Sequence, residues 1–223
     1  MRVCGKNVFN ELDKSKIKKV YLSKNFHDEK ITQELKKYHL KYVLTDANIM
    51  DKMMKNNQGI IFDIYDYEYG KIEDALEDNF VLILDHLEDP HNFGAIIRSC
   101  EARGIRSIIV PKDRSVSVTD TVMKTSTGAT EYVNIIMVNN LVSAINKLKD
   151  NGFFVYAAEA DGEDYRKVDY ADKVCLIIGS EGFGLSKLVR ENSDVIISIP
   201  MKGHVNSLNA SVSAGILLFG IGN

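Results

Sequence analysis

The amino-acid sequence predicts an α/β protein with a mostly parallel β-sheet, preceded by a smaller α/β domain. From residue 80 onward, short apolar runs alternate with segments of helical periodicity, whereas residues 1–69 form a shorter and more basic alternation of their own. Strands that are apolar throughout and alternate with helices are typical of a parallel sheet covered on both faces. We therefore expect one domain over 1–69, a linker over 70–79 and a second domain over 80–223.

The individual elements follow from local patterns. In the first domain the predicted strands are 17–22, 42–45 and 59–65, and helices are predicted to begin at 8–12 and to cover 29–38 and 47–55. In the second domain the predicted strands are 80–84, 107–110, 135–138, 153–157, 174–178 and 195–199, and the predicted helices are 94–102, 141–149, 185–191 and 208–219. Residues 66–79 are tyrosine-rich and acidic without a core pattern, so the boundary is placed there.

The composition is that of an ordinary globular chain. Of the 223 residues, 45% are hydrophobic and 26% are charged, and no apolar run approaches the ~18 residues of a membrane span. The first residues lack the apolar region of a signal peptide. The three cysteines are scattered and form no C-x-x-C pair. We therefore expect reduced thiols, a cytoplasmic location and no membrane partner.

Positive charge is concentrated in the amino-terminal part of the chain. Residues 1–60 contain 13 Lys and Arg against 7 Asp and Glu, whereas the remaining residues contain 15 against 24. A basic segment on an acidic body suggests that one domain binds a polyanion. A solvated, lysine-rich helical face explains the same surplus equally well.

The first polar motif lies in residues 84–99, where a strand ends, a turn with Pro90 follows and a helix begins. Ligand sites of α/β sheets lie at such strand ends. Asn92 and Arg98 are six residues apart and could face one site. An arginine on an otherwise apolar helix is expected to have an anionic or carbonyl partner, which an internal salt bridge would also provide. The acidic and histidine residues at 85–91 lack ordered ligand spacing, so solvated loop charges are favoured over a metal site.

The second motif, residues 178–186, is a glycine loop between a strand and a helix. Gly179 and Gly184 occupy glycine positions of a phosphate-binding loop, but Leu185 stands where the lysine that anchors a nucleoside triphosphate would be. Glu181 would repel a phosphate, so the loop suits a closely fitting ligand that is neutral or cationic at that point. The alternative is a glycine turn with Glu181 favourably placed on a helix dipole.

The third motif, residues 199–215, follows a strand and leads into a helix rich in small residues. Ser207 or Asn209 can cap that helix, but capping accounts for one polar residue and not for the whole series. The small side chains along the helix allow something to pack very closely against it.

Together, the three motifs resemble those of the SpoU (TrmH-like) branch of the SPOUT methyltransferases. The block with Asn92 and Arg98, the G-S-E-G-x-G loop and the I-P-M-x-G-x-V-x-S-L-N series match in order and spacing over about residues 80–223. Residues 110–115 look like those of bacterial enzymes that methylate guanosine in 23S ribosomal RNA. Residues 1–70 look like their RNA-binding domain, which is similar to a ribosomal protein. In those enzymes a histidine usually stands at the position of Asn57, which puts any role of that histidine in doubt here.

The resemblance implies a C-terminal trefoil knot, and S-adenosylmethionine bound in a bent shape within the knot loops, held mostly by backbone groups. The matching cofactor positions are Gly179, Ile199 and Leu208. A glycine lets the chain pass close to a ligand, and two apolar side chains can sandwich an adenine. No metal is implied.

The catalytic positions implied by the resemblance are Asn92, Arg98, Glu181, Ser207 and Asn209. The reaction is attack by a ribose 2′-oxygen of RNA on the sulfonium methyl group. For this family the arginine has been given the role of base, but a guanidinium is normally always protonated. We therefore favour Arg98 as an electrostatic stabiliser of the 2′-alkoxide, with Glu181 and Asn209 orienting Arg98 and the ribose.

The expected partners are ribosomal RNA, with transfer RNA as the alternative, and a second copy of the chain. The last helix is more apolar than one buried stripe requires, which predicts a homodimer unless that helix is buried wholly within its own domain. The resemblance implies a dimer contact beside the cofactor site, with the pocket completed from both subunits. A catalytically silent RNA-binding protein and a nucleotide-dependent enzyme are the other functions considered, and the missing lysine at position 185 disfavours the second.

Overall fold

The computed structural model describes residues 1–205 and 207–222. The strands are β1 (Arg2–Cys4), β2 (Ile17–Ser23), β3 (Tyr42–Thr45), β4 (Ile60–Ile64), β5 (Phe80–Asp85), β6 (Ser107–Pro111), β7 (Asn134–Val138), β8 (Phe154–Asp164), β9 (Val174–Gly179) and β10 (Val195–Ser198). The helices are α1 (Lys6–Glu11), α2 (Glu29–Lys37), α3 (Ala47–Met53), α4 (Ile72–Ala75), α5 (Pro90–Arg103), α6 (Asp120–Thr125), α7 (Leu141–Asp150), α8 (Lys187–Glu191) and α9 (Ala210–Gly220). The chain divides into two compact units.

The first unit comprises Met1–Glu68 and Val118–Glu131. Its sheet has the strand order β1-β4-β2-β3, in which β4 is antiparallel to both neighbours and β2 and β3 are parallel. Phe9 and Phe62 meet edge to face in its core, with ring centroids 5.6 Å apart. The predicted elements are all present, but β1 was not predicted, because a strand of three residues is too short to show an alternation.

A segment distant in sequence completes this first unit. Helix α6 lies against β1, and its Val122 and Met123 are fully buried. Lys124 donates a hydrogen bond from Nζ to the carbonyl oxygen of Asn56 over 2.8 Å. The expectation of two contiguous domains does not anticipate this segment, because its place in the first unit depends on contacts with residues more than 50 positions away in the sequence.

The second unit comprises Tyr69–Ser117 and the residues from Tyr132 onward. Its six-stranded sheet has the order β10-β8-β9-β5-β6-β7, and every strand pair in it is parallel. The expected α/β fold with a parallel sheet is therefore confirmed. The segment expected to be a linker carries α4, whose Ala75 is buried in the core of this unit.

Strand β8 is longer than predicted and continues to Asp164, because its second half pairs with β10. That half contains four acidic residues and no buried one, so it shows no apolar run in the sequence. At the centre of the sheet β5 and β9 are neighbours, with Asp85 paired in register with Gly179. Because both strands end there, the first two polar motifs meet at one edge of the sheet. Helix α9, which follows the third motif, packs against α5 and β9.

The cysteines Cys4, Cys100 and Cys175 are free and buried. Burial raises the pKa of the Cys100 and Cys175 thiols well above its usual range, so these thiols are inert. Within residues 1–205 and 207–222, no helix is long and apolar enough to cross a membrane.

Candidate functional site

A buried carboxylate joins the first motif to the second. Asp85, at the end of β5, is 0% exposed. Its Oδ2 accepts a hydrogen bond from the backbone N–H of Ser186 over 2.6 Å, and its Oδ1 lies 2.5 Å from Nδ1 of His86. A buried carboxylate needs such donors, so Asp85 fixes the end of the glycine loop to its own strand.

The glycine loop is a tight turn closed on itself. The backbone groups of Ser180 and Gly184 exchange two hydrogen bonds of 3.1 and 2.9 Å. A Cβ at Gly179 would lie 2.3 Å from the carbonyl carbon of Gly184 and 2.4 Å from its oxygen. The sequence suggested that this glycine makes room for a ligand. The structure adds an internal reason, because the returning loop itself occupies the space of a side chain.

Three predicted polar residues form one hydrogen-bond network. Glu181 Oε1 accepts from Asn92 Nδ2 over 2.9 Å and from Asn209 Nδ2 over 2.5 Å. Asn209 Nδ2 also lies 3.0 Å from Asn92 Oδ1, which accepts from it. One side chain from each of the three motifs therefore meets at a single point, with the carboxylate as the shared acceptor.

Asn209 also begins helix α9. Its Oδ1 accepts from the backbone N–H groups of Ser211 and Val212, at 3.0 and 3.3 Å, which is the expected N-cap. The backbone N–H of Ala210 donates to Glu181 Oε1 over 3.0 Å. Glu181 thus lies on the positive end of a helix dipole, as the alternative interpretation proposed, but the helix is α9 and not the one that follows its own loop.

A cavity of about 220 Å³ opens beside this network. The three predicted cofactor positions, Gly179, Ile199 and Leu208, all line it, together with Glu181 and Ser207. Apolar side chains from β9, β10 and α9 form much of the remaining wall, and Glu159 of β8 contributes a second carboxylate. The cavity can therefore hold an apolar ring at one end and a cationic group near its carboxylates. Asn206 of the third motif lies outside the described residues.

Arg98 lies elsewhere. Its side chain is exposed, and among the described residues it makes no hydrogen bond or ion pair and lines neither of the two cavities. The internal salt bridge that the sequence left open as an alternative is therefore absent among the described residues, and a separation of six residues turns Asn92 and Arg98 to different faces of α5. Asn92 faces Glu181, and Arg98 faces solvent.

A second cavity, of about 460 Å³, lies on the other side of the glycine loop. It shares Ser180, Glu181 and Gly184 with the first cavity. Sequence reasoning missed Phe183 and Arg114 in its wall: Phe183 is apolar, and Arg114 lies in the polar stretch 112–115, which served only for the family resemblance. Phe183 could have been found as an aromatic residue inside a glycine loop, where no core pattern calls for one.

Among residues 1–205 and 207–222, no three His, Cys, Asp or Glu side chains are grouped so that they could hold a metal ion. The cluster at 85–91 instead divides its roles. Asp85 fixes the loop, and Asp89 caps α5 by accepting from the backbone N–H of His91 over 2.8 Å.

Comparison with known proteins gives two matches to family models. Residues 79–219 match the SpoU rRNA methylase family. The chain belongs to this family. Residues 2–70 match the model described as RNA 2′-O ribose methyltransferase substrate binding. The protein is thus a methyltransferase of the SpoU type, as the motifs predicted.

Relatives and solved structures agree with this assignment. A Bacillus subtilis protein named as a TrmH family tRNA/rRNA methyltransferase, YacO, is 38% identical over 231 residues, covering 97% of this chain and 93% of that protein. A TrmH family protein of Staphylococcus aureus is 47% identical over 171 residues, covering 73% and 69%. The AdoMet complex of the SpoU methyltransferase AviRb from Streptomyces viridochromogenes has a TM-score of 0.84 at 20% identity, covering 98% and 88%. An AdoMet-bound rRNA methyltransferase from Sinorhizobium meliloti has a TM-score of 0.82 at 24% identity, covering 98% and 85%, and both likenesses concern the fold.

Proposed function

We propose that this protein transfers the methyl group of S-adenosylmethionine to a ribose 2′-hydroxyl of RNA, with a guanosine of 23S ribosomal RNA as the substrate. The observation that carries the proposal is the network of Asn92, Glu181 and Asn209 between two cavities that share Glu181. A donor in one cavity and an acceptor in the other would meet at that carboxylate. Holding two reactants in line supplies much of the acceleration of such a transfer.

The residues of the first cavity suit S-adenosylmethionine. Ile199 and Leu208 offer apolar surface for the adenine, and the carboxylate of Glu181 suits the positive charge of a sulfonium or an amino group, whereas Glu159 is already paired with Arg190. When bound there, the cofactor supplies an electrophilic methyl group, so no metal is required. The relatives with bound AdoMet have this fold, which supports the same occupant here.

The residues around the cavities would position the ribose and stabilise its charge. The 2′-oxygen attacks the methyl carbon, the carbon–sulfur bond breaks as the carbon–oxygen bond forms, and the hydroxyl proton is lost to water or a neighbouring phosphate. Asn92 and Asn209 hold Glu181 in a fixed orientation toward both cavities. Ser207 lines the donor cavity and can donate a hydrogen bond to either reactant. Arg98 would stabilise the developing 2′-alkoxide.

A homodimer explains how an arginine that is exposed in one copy can act at a catalytic site. Arg98 lies on α5, and α9 packs on this helix. On α9, the side chains of Val212 and Phe219 are 49% and 48% exposed, and they are seven residues apart on one face. We propose that this face binds a second copy, since the family resemblance implies a pocket completed from both subunits, and that Arg98 is the residue that completes the site of the partner subunit. The trefoil knot that the resemblance implies is part of the same proposal. It is supported by the position of α9, which follows the edge strand β10 in sequence but packs against α5 and the central strand β9.

The first unit is proposed to bind the RNA substrate. Its Lys36, Lys37 and Lys41 are exposed, and the rings of Tyr38 and Tyr42 beside them are 47% and 46% exposed. The ammonium of Lys37 lies 5.0 Å from the centre of the Tyr38 ring. Cationic groups for phosphates next to bare aromatic rings for bases are typical of single-stranded RNA surfaces. A protein with this function is expected in the cytoplasm.

The test is methyl transfer from labelled S-adenosylmethionine to RNA from a strain that lacks this protein, followed by mapping of 2′-O-methyl positions. The proposal expects incorporation into one guanosine of 23S ribosomal RNA. Incorporation into transfer RNA would contradict ribosomal RNA as the substrate. If the protein binds RNA but no label is incorporated, it is a catalytically silent RNA-binding protein.

A further inference from the structure

Phe183 is the most exposed of the large apolar side chains described, with 96% of its surface accessible. It stands at the tip of the turn that the paired backbone groups of Ser180 and Gly184 close. Burial of a phenylalanine is favourable by about 1.5–3 kcal/mol, so a fully bare ring forgoes that stabilisation. An exposed aromatic ring on a loop beside Glu181 is typical of a binding surface, on which a ligand covers the ring.

The loop that carries Phe183 is fixed in place. One end is held by the two backbone hydrogen bonds between Ser180 and Gly184. The other end is held by the buried Asp85, which accepts from Ser186 N–H over 2.6 Å. The loop cannot move closer to strand β9, because the backbone of Gly184 already lies against Gly179. The ring is therefore presented at a defined place, which lowers the entropy cost of binding a flat partner.

The second cavity, of about 460 Å³, includes Phe183 in its wall and Glu181 at the side that it shares with the first cavity. Whatever binds there lies against Phe183 and reaches Glu181 at the same time. The cavity belongs entirely to the second unit, so it is formed without the first.

The charge of this cavity favours an uncharged ring over a phosphate. Glu88, Asp89 and Glu181 line it, whereas Arg114 is the only lysine or arginine among its described lining residues. Phosphates would be repelled by three carboxylates, but the exocyclic amino groups of a nucleobase are donors to them. Arg114 is exposed and makes no ion pair within the described part of the chain, so it can bind the flanking phosphate.

We propose that the second cavity holds the base of the target nucleotide, turned out of its stack, and that Phe183 is the surface on which that base stacks. The inference rests on the proposed RNA methyltransferase function. When the base of the target nucleotide lies in this cavity, its ribose 2′-hydroxyl lies beside Glu181, opposite the methyl donor in the first cavity. Enzymes that act on one nucleotide commonly read it by stacking it on an aromatic ring.

The chain contains no tryptophan, which makes a direct test possible. In Phe183→Trp the only indole emission comes from the proposed stacking surface, and stacking against a base quenches that emission. The probe is ribosomal RNA from a strain lacking the protein, titrated in the presence of S-adenosylhomocysteine, which has no methyl group to transfer. Leu188→Trp is the matched control, since Leu188 is 62% exposed on the adjacent helix α8 and lines neither cavity. We expect saturable quenching for Phe183→Trp and none for Leu188→Trp.

Kinetics give the second readout. Phe183→Ala should lower kcat/KM for RNA about 5- to 150-fold, the value of one lost base–aromatic stack, with the Kd for S-adenosylhomocysteine unchanged. Phe183→Trp should retain activity because it keeps the stack, and Leu188→Ala should behave as the parent protein.

Three outcomes overturn the inference. The first is that the emission of Phe183→Trp is not quenched under conditions where the parent protein methylates RNA. The second is that Phe183→Ala has the kinetics of the parent protein. The third is that Phe183→Ala loses its oligomeric state, which would place the ring at a subunit interface. If the parent protein transfers no methyl group to RNA, the proposed function itself is refuted.

Discussion

Replacing Gly179 by alanine tests whether the glycine loop shapes the donor site. The added Cβ would lie 2.3 and 2.4 Å from the carbonyl carbon and oxygen of Gly184, and 2.7 Å from the backbone nitrogen of Leu185. These are backbone atoms of a turn closed by two hydrogen bonds, so they cannot move aside as a flexible side chain can. Overpacking of this kind costs about 1–3 kcal/mol, and contacts this short belong at the upper end.

The cost must appear in stability or in binding. If the strain stays in the folded protein, about 3 kcal/mol lowers the melting temperature by about 6–12 °C for a chain of this size. If the loop moves away instead, the donor cavity changes shape, and the same energy weakens cofactor binding by about 150-fold. Thermal unfolding and calorimetric titration with S-adenosylhomocysteine measure the two effects separately.

The matched control lies in the same loop. A Cβ at Gly182 meets nothing within 4 Å, so Gly182→Ala should keep the melting temperature and the cofactor affinity of the parent protein. If Gly179→Ala is as stable and binds as tightly as Gly182→Ala, the loop backbone does not need glycine at position 179, and the reasoning fails.

Three further predictions concern the proposed catalytic, RNA-binding and dimer residues. Arg98→Ala should keep the fold and cofactor affinity, since the side chain is exposed, and should reduce methyl transfer at least ~100-fold; full activity in a methylation assay would exclude the catalytic role. Exchange of the exposed Lys36 and Lys41 for glutamine should reduce the slope of log Kd for RNA against log salt by roughly 0.7 per lysine, and an unaltered slope in filter binding would place the RNA elsewhere. Light scattering should give twice the chain mass of 25.0 kDa, and Val212→Asp combined with Phe219→Glu should give a monomer; an active monomeric parent would contradict the dimer.

The sequence predicted the second sheet well because its strands are buried on both faces. Leu82, Ile109 and Ile177, for example, are all 0% exposed, and such runs stand out against the helices between them. The meeting of the three motifs was also predictable, since each follows a strand end. Periodicity could not predict the register that places Asp85 opposite Gly179, because the pairing of strands distant in sequence does not depend on local sequence patterns.

The errors have equally local causes. The sequence suggested that Arg98 and Asn92 could face one site, but six residues advance a helix by about 600°, so within one copy of the chain the two side chains point some 120° apart. Helix α6 and strand β1 were not predicted, because both are short and neither shows a clear apolar run or period. The two elements contact each other from distant parts of the sequence, and no pattern within a single segment carries that information.

The direction of each hydrogen bond in the network limits how this protein can evolve. The amide of Asn209 donates twice, to Glu181 and to Asn92, while its carbonyl oxygen is engaged by the start of α9. An aspartate at position 209 would keep the cap but would lose both donations and place a second carboxylate against Glu181. An aspartate at position 92 would still accept from Asn209, but it would lose its one donation to Glu181 and place a carboxylate against that residue. A change at Glu181 or Asn209 therefore breaks more than one contact, whereas Asn92→Asp breaks one and adds a like-charge repulsion.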